Sequence, residues 1–323
     1  MKKLLWLVVL LGPMLDAHAV IVAGARGGGD NTNNTTQAEL EALTDVEDGS
    51  FFNHVFTLGN GAGVYIGYRP DPGGPVGYAL SAMHLGSPST LTIEGTTYNV
   101  QSHTAIDGSD LALFAFTHPD NIMPTLSALS LSSTTPVDGT DVVMVGIGRN
   151  RVQDATTDAN VSDAVSVTDG TGYTTTSSRL KRWGTNTTAD FGAGPGGPGP
   201  TRTIDIGGRD TDVFRTIFDE PDSGDWLTSN QAQGVTNDSG GGVFSHDGLL
   251  LGIMVSVQAS NASEAAFGNT TLMADVATYK DEIDVEIEGM LIPEPGTAVL
   301  MLCAIALLYG MRQLGGVSGK VDG

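Results

Sequence analysis

Thr236-Asn237-Asp238-Ser239-Gly240-Gly241-Gly242 lies between a polar stretch, Ser229 to Gly234, and apolar runs that read as strands, Val243-Phe244 and Leu249 to Val255. A serine followed by three glycines keeps its hydroxyl clear of neighbouring side chains. Glycine also lets consecutive backbone N–H groups turn toward one point. That arrangement holds charge developing on a carbonyl oxygen. Taken alone, the stretch is also ordinary turn composition. Its meaning depends on what the remainder of the chain supplies.

The chain has 323 residues, enough for one large or two medium domains. Its 44 glycines, together with many Thr, Ser, Asn and Asp residues, point to short strands joined by turns. A formal net charge of -22 speaks against nucleic acid as a partner, because phosphates would be repelled. There is one cysteine, Cys303, so no intrachain disulfide forms and the core must hold without staples. No nucleotide-binding loop or zinc motif is present, and the spacing of the Asp-rich loops fits no EF-hand. No cofactor and no metal are expected.

Both ends carry targeting signals. Lys2-Lys3, the apolar run Leu4 to Leu11, a Gly12-Pro13 break and Ala17-His18-Ala19 read as a secretory signal peptide over 1–19, with the mature chain beginning near Val20. Residues 20–50 read as a loose lead-in, including an Ala/Glu/Leu patch at Gln37 to Leu43. At the other end, 297–311 is apolar and followed by Arg312. This run is marginal as a membrane span, which needs roughly 17–25 apolar residues, though Ile292 to Gly296 would lengthen it. Pro293-Glu294-Pro295, the hydrophobic segment and the arginine together resemble the PEP-CTERM sorting signal of Gram-negative bacteria. The resemblance implies an exosortase-type sorting enzyme as partner, membrane attachment through 297–311, and a destination in the cell envelope, at the surface or in the extracellular matrix. It departs from the family in having a single arginine and a longer polar end.

The stretch 51–290 reads as an all-β domain. Val55 to Leu58, Gly63 to Gly67, Leu91 to Val100 around Gly95, and Asp110 to Phe116 have strand or hairpin patterns. Ser127 to Asp138 reads as the connection between two halves, about 51–126 and 138–290. Asp141 to Val145 opens the second half, and Thr203 to Ile206 and Asp212 to Phe218 are further strands. Arg179 to Thr188 is the one basic patch of the folded region. Apolar residues at Leu272, Val276, Tyr279, Ile283 and Ile287 recur at helical spacing, predicting a C-terminal amphipathic helix over 272–288.

A serine nucleophile needs a base at its hydroxyl, and the base needs an orienting carboxylate. The histidines of the mature chain are His54, His84, His103, His118 and His246. Only His84 closes a run of small and apolar residues, Ala79 to Met83, able to hold it rigidly. Asp107 and Asp110 are both carboxylates within reach in sequence; Asp107 lies in a turn and Asp110 opens a strand.

These segments resemble the trypsin-like (chymotrypsin-fold) serine proteases. Leu80-Ser81-Ala82-Met83-His84 is similar to that family's Leu-Thr-Ala-Ala-His. Gly61 to Ile66 is similar to its Gly-Ser-Gly-Val strand. Ser109-Asp110-Leu111-Ala112-Leu113 resembles its Asp-Ile-Ala-Leu, and Asn237-Asp238-Ser239-Gly240-Gly241 its Gly-Asp-Ser-Gly-Gly. Gly252 to Ser256 resembles the strand lining the substrate cleft, and Ala274 to Ile283 the closing helix. Ile21-Val22-Ala23-Gly24 resembles the new N-terminus of activated members. The resemblance implies two six-stranded Greek-key β-barrels with a C-terminal helix. It also implies peptide-bond hydrolysis with His84 as general base, Asp110 orienting it, Ser239 attacking, and the N–H groups of Asn237 and Ser239 forming the oxyanion hole. Gln233, six residues before the serine, and Ser256 would line the substrate pocket; with Gln233 there, nothing supports a preference for Arg or Lys.

This chain departs from the family at Asn237, where a glycine is usual, in the short interval between His84 and Asp110, and in lacking disulfides. In the family, the residue at Asp238 often pairs with a freed N-terminal amine; whether Val20 or Ile21 supplies one is open, and bacterial relatives often manage without it. The alternative from another functional class is an inactive protease-like domain serving as a surface or matrix binding protein associated with exopolysaccharide. An esterase on the same triad is a third reading, without the Gly-x-Ser-x-Gly elbow.

Overall fold

The computed structural model describes residues 20–22, 37–42, 49–151, 165–168, 170–193, 197–219, 231–261 and 263–287. The signal-peptide segment and the sorting segment 291–323 lie outside the described residues. Among the described residues no helix is long and apolar enough to cross a membrane.

Strand β1 (Ile21–Val22) precedes two short helices, Gln37–Glu41 and Phe51–His54. The first sheet comprises β2 (Val55–Leu58), β3 (Gly61–Arg69), β4 (Val76–Ala82), β5 (Thr90–Ile93), β6 (Thr96–Ala105) and β7 (Leu111–Thr117). Its six strands run in the order β2-β3-β4-β7-β6-β5, all antiparallel, and β5 returns against β2 so that the sheet curls closed. The hairpin expected around Gly95 is β5–β6, turning through Glu94 and Gly95 at φ 49° and 76°. Register shifts in β3 and β6 supply the bends that closure requires.

The second half contains β8 (Asp141–Gly146), β9 (Arg149–Arg151), β10 (Val165–Val167), β11 (Gly170–Arg179), β12 (Arg182–Thr187), β13 (Arg202–Asp205), β14 (Asp210–Ile217), β15 (Ala232–Gln233), β16 (Gly242–Phe244), β17 (Leu250–Gln258), β18 (Glu264–Ala266) and β19 (Thr270–Asp275). Its main sheet runs β12-β8-β16-β17-β19-β14-β13, seven strands where six were expected. The six from β12 to β14 close on themselves through the Thr188–Thr216 bridge. The seventh, β13, is joined to β14 by a tight turn at Ile206 to Arg209 and hangs outside that ring. A smaller sheet, β10-β11-β18 with β9, stands beside the barrel.

Two further expectations are corrected. The C-terminal helix is Val276–Glu286, not 272–288: Leu272 belongs to β19, and Asp275 starts the helix by accepting the Ala277 N–H. The apolar positions of β19 and of the helix happen to run on in one helical spacing. The lead-in 20–50 is also not loose throughout. Val20 and Ile21 are fully buried, β1 pairs with β15, and Leu40 is buried in the main core.

The barrels meet along a shared core. Phe51 stacks on Phe244 at 4.6 Å, and Val64, Leu80, Val145, Trp183 and Ile253 belong to one buried cluster. The contact is closest at the Ser239 loop. The Ala62 N–H donates to the Ser239 carbonyl (2.8 Å), and Ser81 Oγ donates to the Ala62 carbonyl (2.6 Å). Gly240 sits at φ 85°, and a Cβ there would fall 1.9 Å from the Ala62 oxygen. Gly240→Ala is therefore expected to cost about 2–4 kcal/mol through backbone strain and overpacking. Urea denaturation of the variant tests this; a loss below 1 kcal/mol would refute the tight-clamp description.

Candidate active site

His84 closes β4 in a single 3-10 turn, Met83–Leu85. The turn is tied down by Asp110 twice over. The Met83 N–H donates to the Asp110 carbonyl (2.6 Å), and the His84 N–H donates to Asp110 Oδ1 (2.9 Å). Asp110 Oδ2 then lies 2.7 Å from His84 Nδ1. Asp110 is fully buried, and its own N–H donates to Thr211 Oγ1 (2.9 Å) of β14 in the other barrel. A buried carboxylate at Nδ1 selects the tautomer that carries hydrogen there and leaves Nε2 as an acceptor. Asp107, the alternative carboxylate, is exposed in a 3-10 turn at φ 46° and does not reach His84 among the described hydrogen bonds.

The Ser239 loop is shaped by Asp238. Val235 N–H donates to Asp238 Oδ2 (2.8 Å), Gly148 N–H donates to Oδ1 (2.6 Å), and the Val20 N–H also bonds this carboxylate. The Asp238 N–H returns to the Val235 carbonyl (2.9 Å), closing a tight turn over 235–238. Gly240 N–H donates to the Met254 carbonyl (2.7 Å). The N–H groups at 238 and 240 are thus engaged. Those of Asn237 and Ser239, which alternate with them, meet no acceptor among the described residues. Asn237 holds φ 80°, the left-handed region that asparagine tolerates better than most side chains. Its Nδ2 donates to the Asn60 carbonyl across the cleft. The left-handed backbone that a glycine would adopt is thus held by asparagine, and the N–H groups of 237 and 239 are left without an acceptor among the described residues.

His84 and Ser239 line one cleft of about 370 Å³ with Asn60, Leu85, Val235, Thr236, Asn237, Val255 to Val257, Ala259 and Glu264. No hydrogen bond joins Ser239 Oγ to His84 among the described residues; such contacts commonly tighten only when substrate is bound. Ser256 is in the cleft as expected. Gln233 is not. It is buried, pairs with Ile21 in β15, and neither side-chain amide atom has a partner among the described residues. The β-pairing with the N-terminal strand holds Gln233 away from the cleft wall. Glu264 and Ala259 were not anticipated, because they follow β17 in a stretch with no motif. The other histidines serve elsewhere: His54 Nδ1 meets the Tyr65 carbonyl and His103 stacks on Phe114.

Burial pushes the Asp238 carboxyl up to about 6, opposed by the Val235 and Gly148 N–H bonds, the Arg182 charge and the Val20 N–H. Arg182 is itself fully buried and donates to the Val20 carbonyl (3.0 Å). A carboxyl raised in the folded state favours folding fully below its unfolded value near 4, and that contribution is lost as pH rises through about 6. With the Val20 nitrogen still an amide, stability is expected to fall by about 2–3 kcal/mol between those limits. Urea melts across this window, compared with Asp238→Asn, check it; equal slopes in the two proteins would refute it.

No family model and no curated protein sequence matches the chain. Solved structures similar to it include the active form of the Rv3671c protease from M. tuberculosis (16% identity, 71% of this chain and 73% of that one, TM-score 0.38). The MamO protease domain from Magnetospirillum magneticum is similar at 14% identity over 69% and 87%, TM-score 0.38. Kallikrein-related peptidase 10 in complex with Zn2+ is similar at 14% identity over 72% and 93%, TM-score 0.43. Similarity at this level assigns no residue and no activity to this chain.

Proposed function

We propose that the chain is an exported serine endopeptidase that hydrolyses peptide bonds through His84, Asp110 and Ser239 and an acyl-enzyme. The observation that carries this reading is the buried Asp110 on His84 Nδ1, with His84 and Ser239 facing one cleft beside two unengaged N–H groups. Ser239 Oγ attacks the scissile carbonyl carbon as His84 Nε2 takes its proton. The carbonyl oxygen, now negative, accepts from the Asn237 and Ser239 N–H groups. His84 returns the proton to the departing amine, and the C–N bond breaks. Water, activated by the same nitrogen, then releases the acid and restores Ser239. Asp110 orients His84 and stabilises the imidazolium. Ser256 and Glu264 form part of the wall that meets substrate side chains.

A fluorophosphonate probe is expected to modify Ser239 in the exported protein, located by peptide mass spectrometry. Ser239→Ala and His84→Ala should each lower peptide hydrolysis by about 10⁴-fold or more, and Asp110→Asn by about 10⁴-fold. A folded protein that the probe never labels sinks the proposal. The absent Ser239–His84 hydrogen bond favours a second reading, a protease-like envelope binding protein associated with exopolysaccharide. That reading prevails if Ser239→Ala keeps the full surface phenotype.

Export rests on residues 1–19 and 291–323. The first would be removed by signal peptidase and the second handled by an exosortase-type enzyme, with 297–311 holding the protein at the membrane of a Gram-negative envelope. We propose further that cleavage after Ala19 matures the site. Val20 is a β-branched residue at φ 37°, where such side chains are strained. That angle is defined only while the Ala19–Val20 peptide bond exists. Cleavage removes the constraint and turns the N–H facing Asp238 into an ammonium, a second positive charge for the buried carboxylate beside that of Arg182. N-terminal sequencing of the labelled, exported protein should read Val20 first. An equally reactive protein that retains residues before Val20 would defeat this maturation step.

A further inference from the structure

The basic patch Arg179 to Thr188 has no place in the chemistry above, although it borders a second cleft. That cleft measures about 530 Å³ and is lined by Asn53, Val55, Phe56, Arg179, Leu180 and Lys181 among others. Lys181 Nζ donates to two backbone carbonyls, of Phe52 (3.0 Å) and Val55 (2.9 Å), and stands over the Phe52 ring. Arg179 donates to three carbonyls, of Ile147 (2.9 Å), Gly59 (3.2 Å) and Gly61 (2.8 Å). Among the described residues neither cation makes a salt bridge; the buried Asp238 acts on Arg179 through its charge alone. The one acid on the wall, Glu94, has its two oxygens taken by the Thr125 N–H and hydroxyl. Burial pushes the Lys181 amine down to about 8. In a chain of net charge -22, an open cleft lined by two cations and a single acid is out of keeping with the surface.

The position of this cleft gives it a use. The turn Gly59-Asn60-Gly61 divides it from the Ser239 cleft: Arg179 holds the Gly59 and Gly61 carbonyls, while Asn60 lines the cleft containing His84 and Ser239. Asn60 and the Val255–Val257 strand are both on the wall of the Ser239 cleft, and the Arg179–Lys181 cleft adjoins the Asn60 turn, so on the endopeptidase reading a peptide with one flank on that strand would have its other flank near Lys181. Building on the endopeptidase reading, we infer that the Arg179–Lys181 cleft is an anion subsite, selecting substrates that carry Asp or Glu on the flank opposite the Val255–Val257 strand. The third Lys181 proton and the polar Asn53 and Thr57 are available to a carboxylate, and Val55, Phe56 and Leu180 cover its methylenes.

The test digests a mixed peptide library with the exported protein and maps the residues on both sides of every cleaved bond by mass spectrometry. Acidic residues should be enriched at least several-fold at one or two positions on a single flank. The enrichment should shrink as salt is raised from about 0.05 to 0.5 M, because the subsite is open to solvent. Lys181→Met should abolish it, and Lys181→Glu should replace it with a preference for Lys and Arg. Fluorophosphonate labelling of Ser239 should proceed at an unchanged rate in both variants. Cleavage by a labelled enzyme without acidic enrichment overturns the subsite alone, as does enrichment that survives Lys181→Met. A labelled protein that cleaves no peptide overturns the endopeptidase reading and the subsite together. If the Lys181 variants do not fold, Lys181→Arg should keep the preference, and absence of the salt effect in the parent overturns the subsite.

Discussion

A single buried carboxylate, Asp238, organises the site. It is enclosed by the protein, yet three backbone N–H groups from three separate segments point at it: Val235 from its own turn, Gly148 from the end of β8, and Val20 from the N-terminal strand. Burying an ion is expensive unless hydrogen bonds and an opposite charge replace water. The N–H groups and nearby Arg182 do so in part. Space is reserved for it as well, since a Cβ at Gly146 or Gly148 would fall within 2.5 Å of the Asp238 carboxyl group. The tight turn that presents the carboxylate inward leaves the next residue, Ser239, facing the cleft. The placement of Ser239 and of the unengaged Asn237 and Ser239 N–H groups is a consequence of how Asp238 is satisfied.

The same logic explains why the site lies between barrels and not within either one. His84 comes from the end of β4 and Asp110 from the start of β7, neighbouring antiparallel strands whose register places Ala82 opposite Leu111. Two loop residues far apart in the chain are thereby set side by side on a rigid sheet. Ser239 comes from the other barrel. The two halves are locked by short-range contacts that no side chain larger than hydrogen permits, at Gly61 against the Ser239 carbonyl and at Gly240 against the Ala62 carbonyl. Thr211, reaching from β14 to the Asp110 N–H, fixes the orienting carboxylate from the second barrel too. Neither barrel alone holds a complete constellation.

Much of this is legible in the residues themselves. Strand patterns mark most elements of the first barrel, because its turns carry Gly59, Gly74 and Gly95 and its strands are either near-continuous apolar runs, as β3, β4 and β7, or alternate, as β5. His84 stands out because it closes a run of small and apolar residues, and Asp110 because it opens a strand while Asp107 lies in a turn; Asp110 is the carboxylate that bonds His84. What sequence could not supply was anything set by pairing across long separations. Gln233 sits at the expected interval before Ser239, but its pairing with Ile21 turns it into the interior. Leu272 has helical spacing with Val276, but its pairing with β17 and β14 makes it a strand residue. Glu264 enters the cleft only because β18 docks on β11, and no local pattern announces that.

The N-terminal segment is where local and long-range constraints meet. Val20 to Val22 looks like a continuation of an apolar leader, since Val, Ile and Val suit either a signal sequence or a strand. In the fold their role is different. Val20 and Val22 pack with Val142, Met144, Phe214 and Met254, deep in the second barrel. The Val20 N–H bonds the Asp238 carboxylate and the Val20 carbonyl accepts from Arg182, so packing and charge hold this segment together.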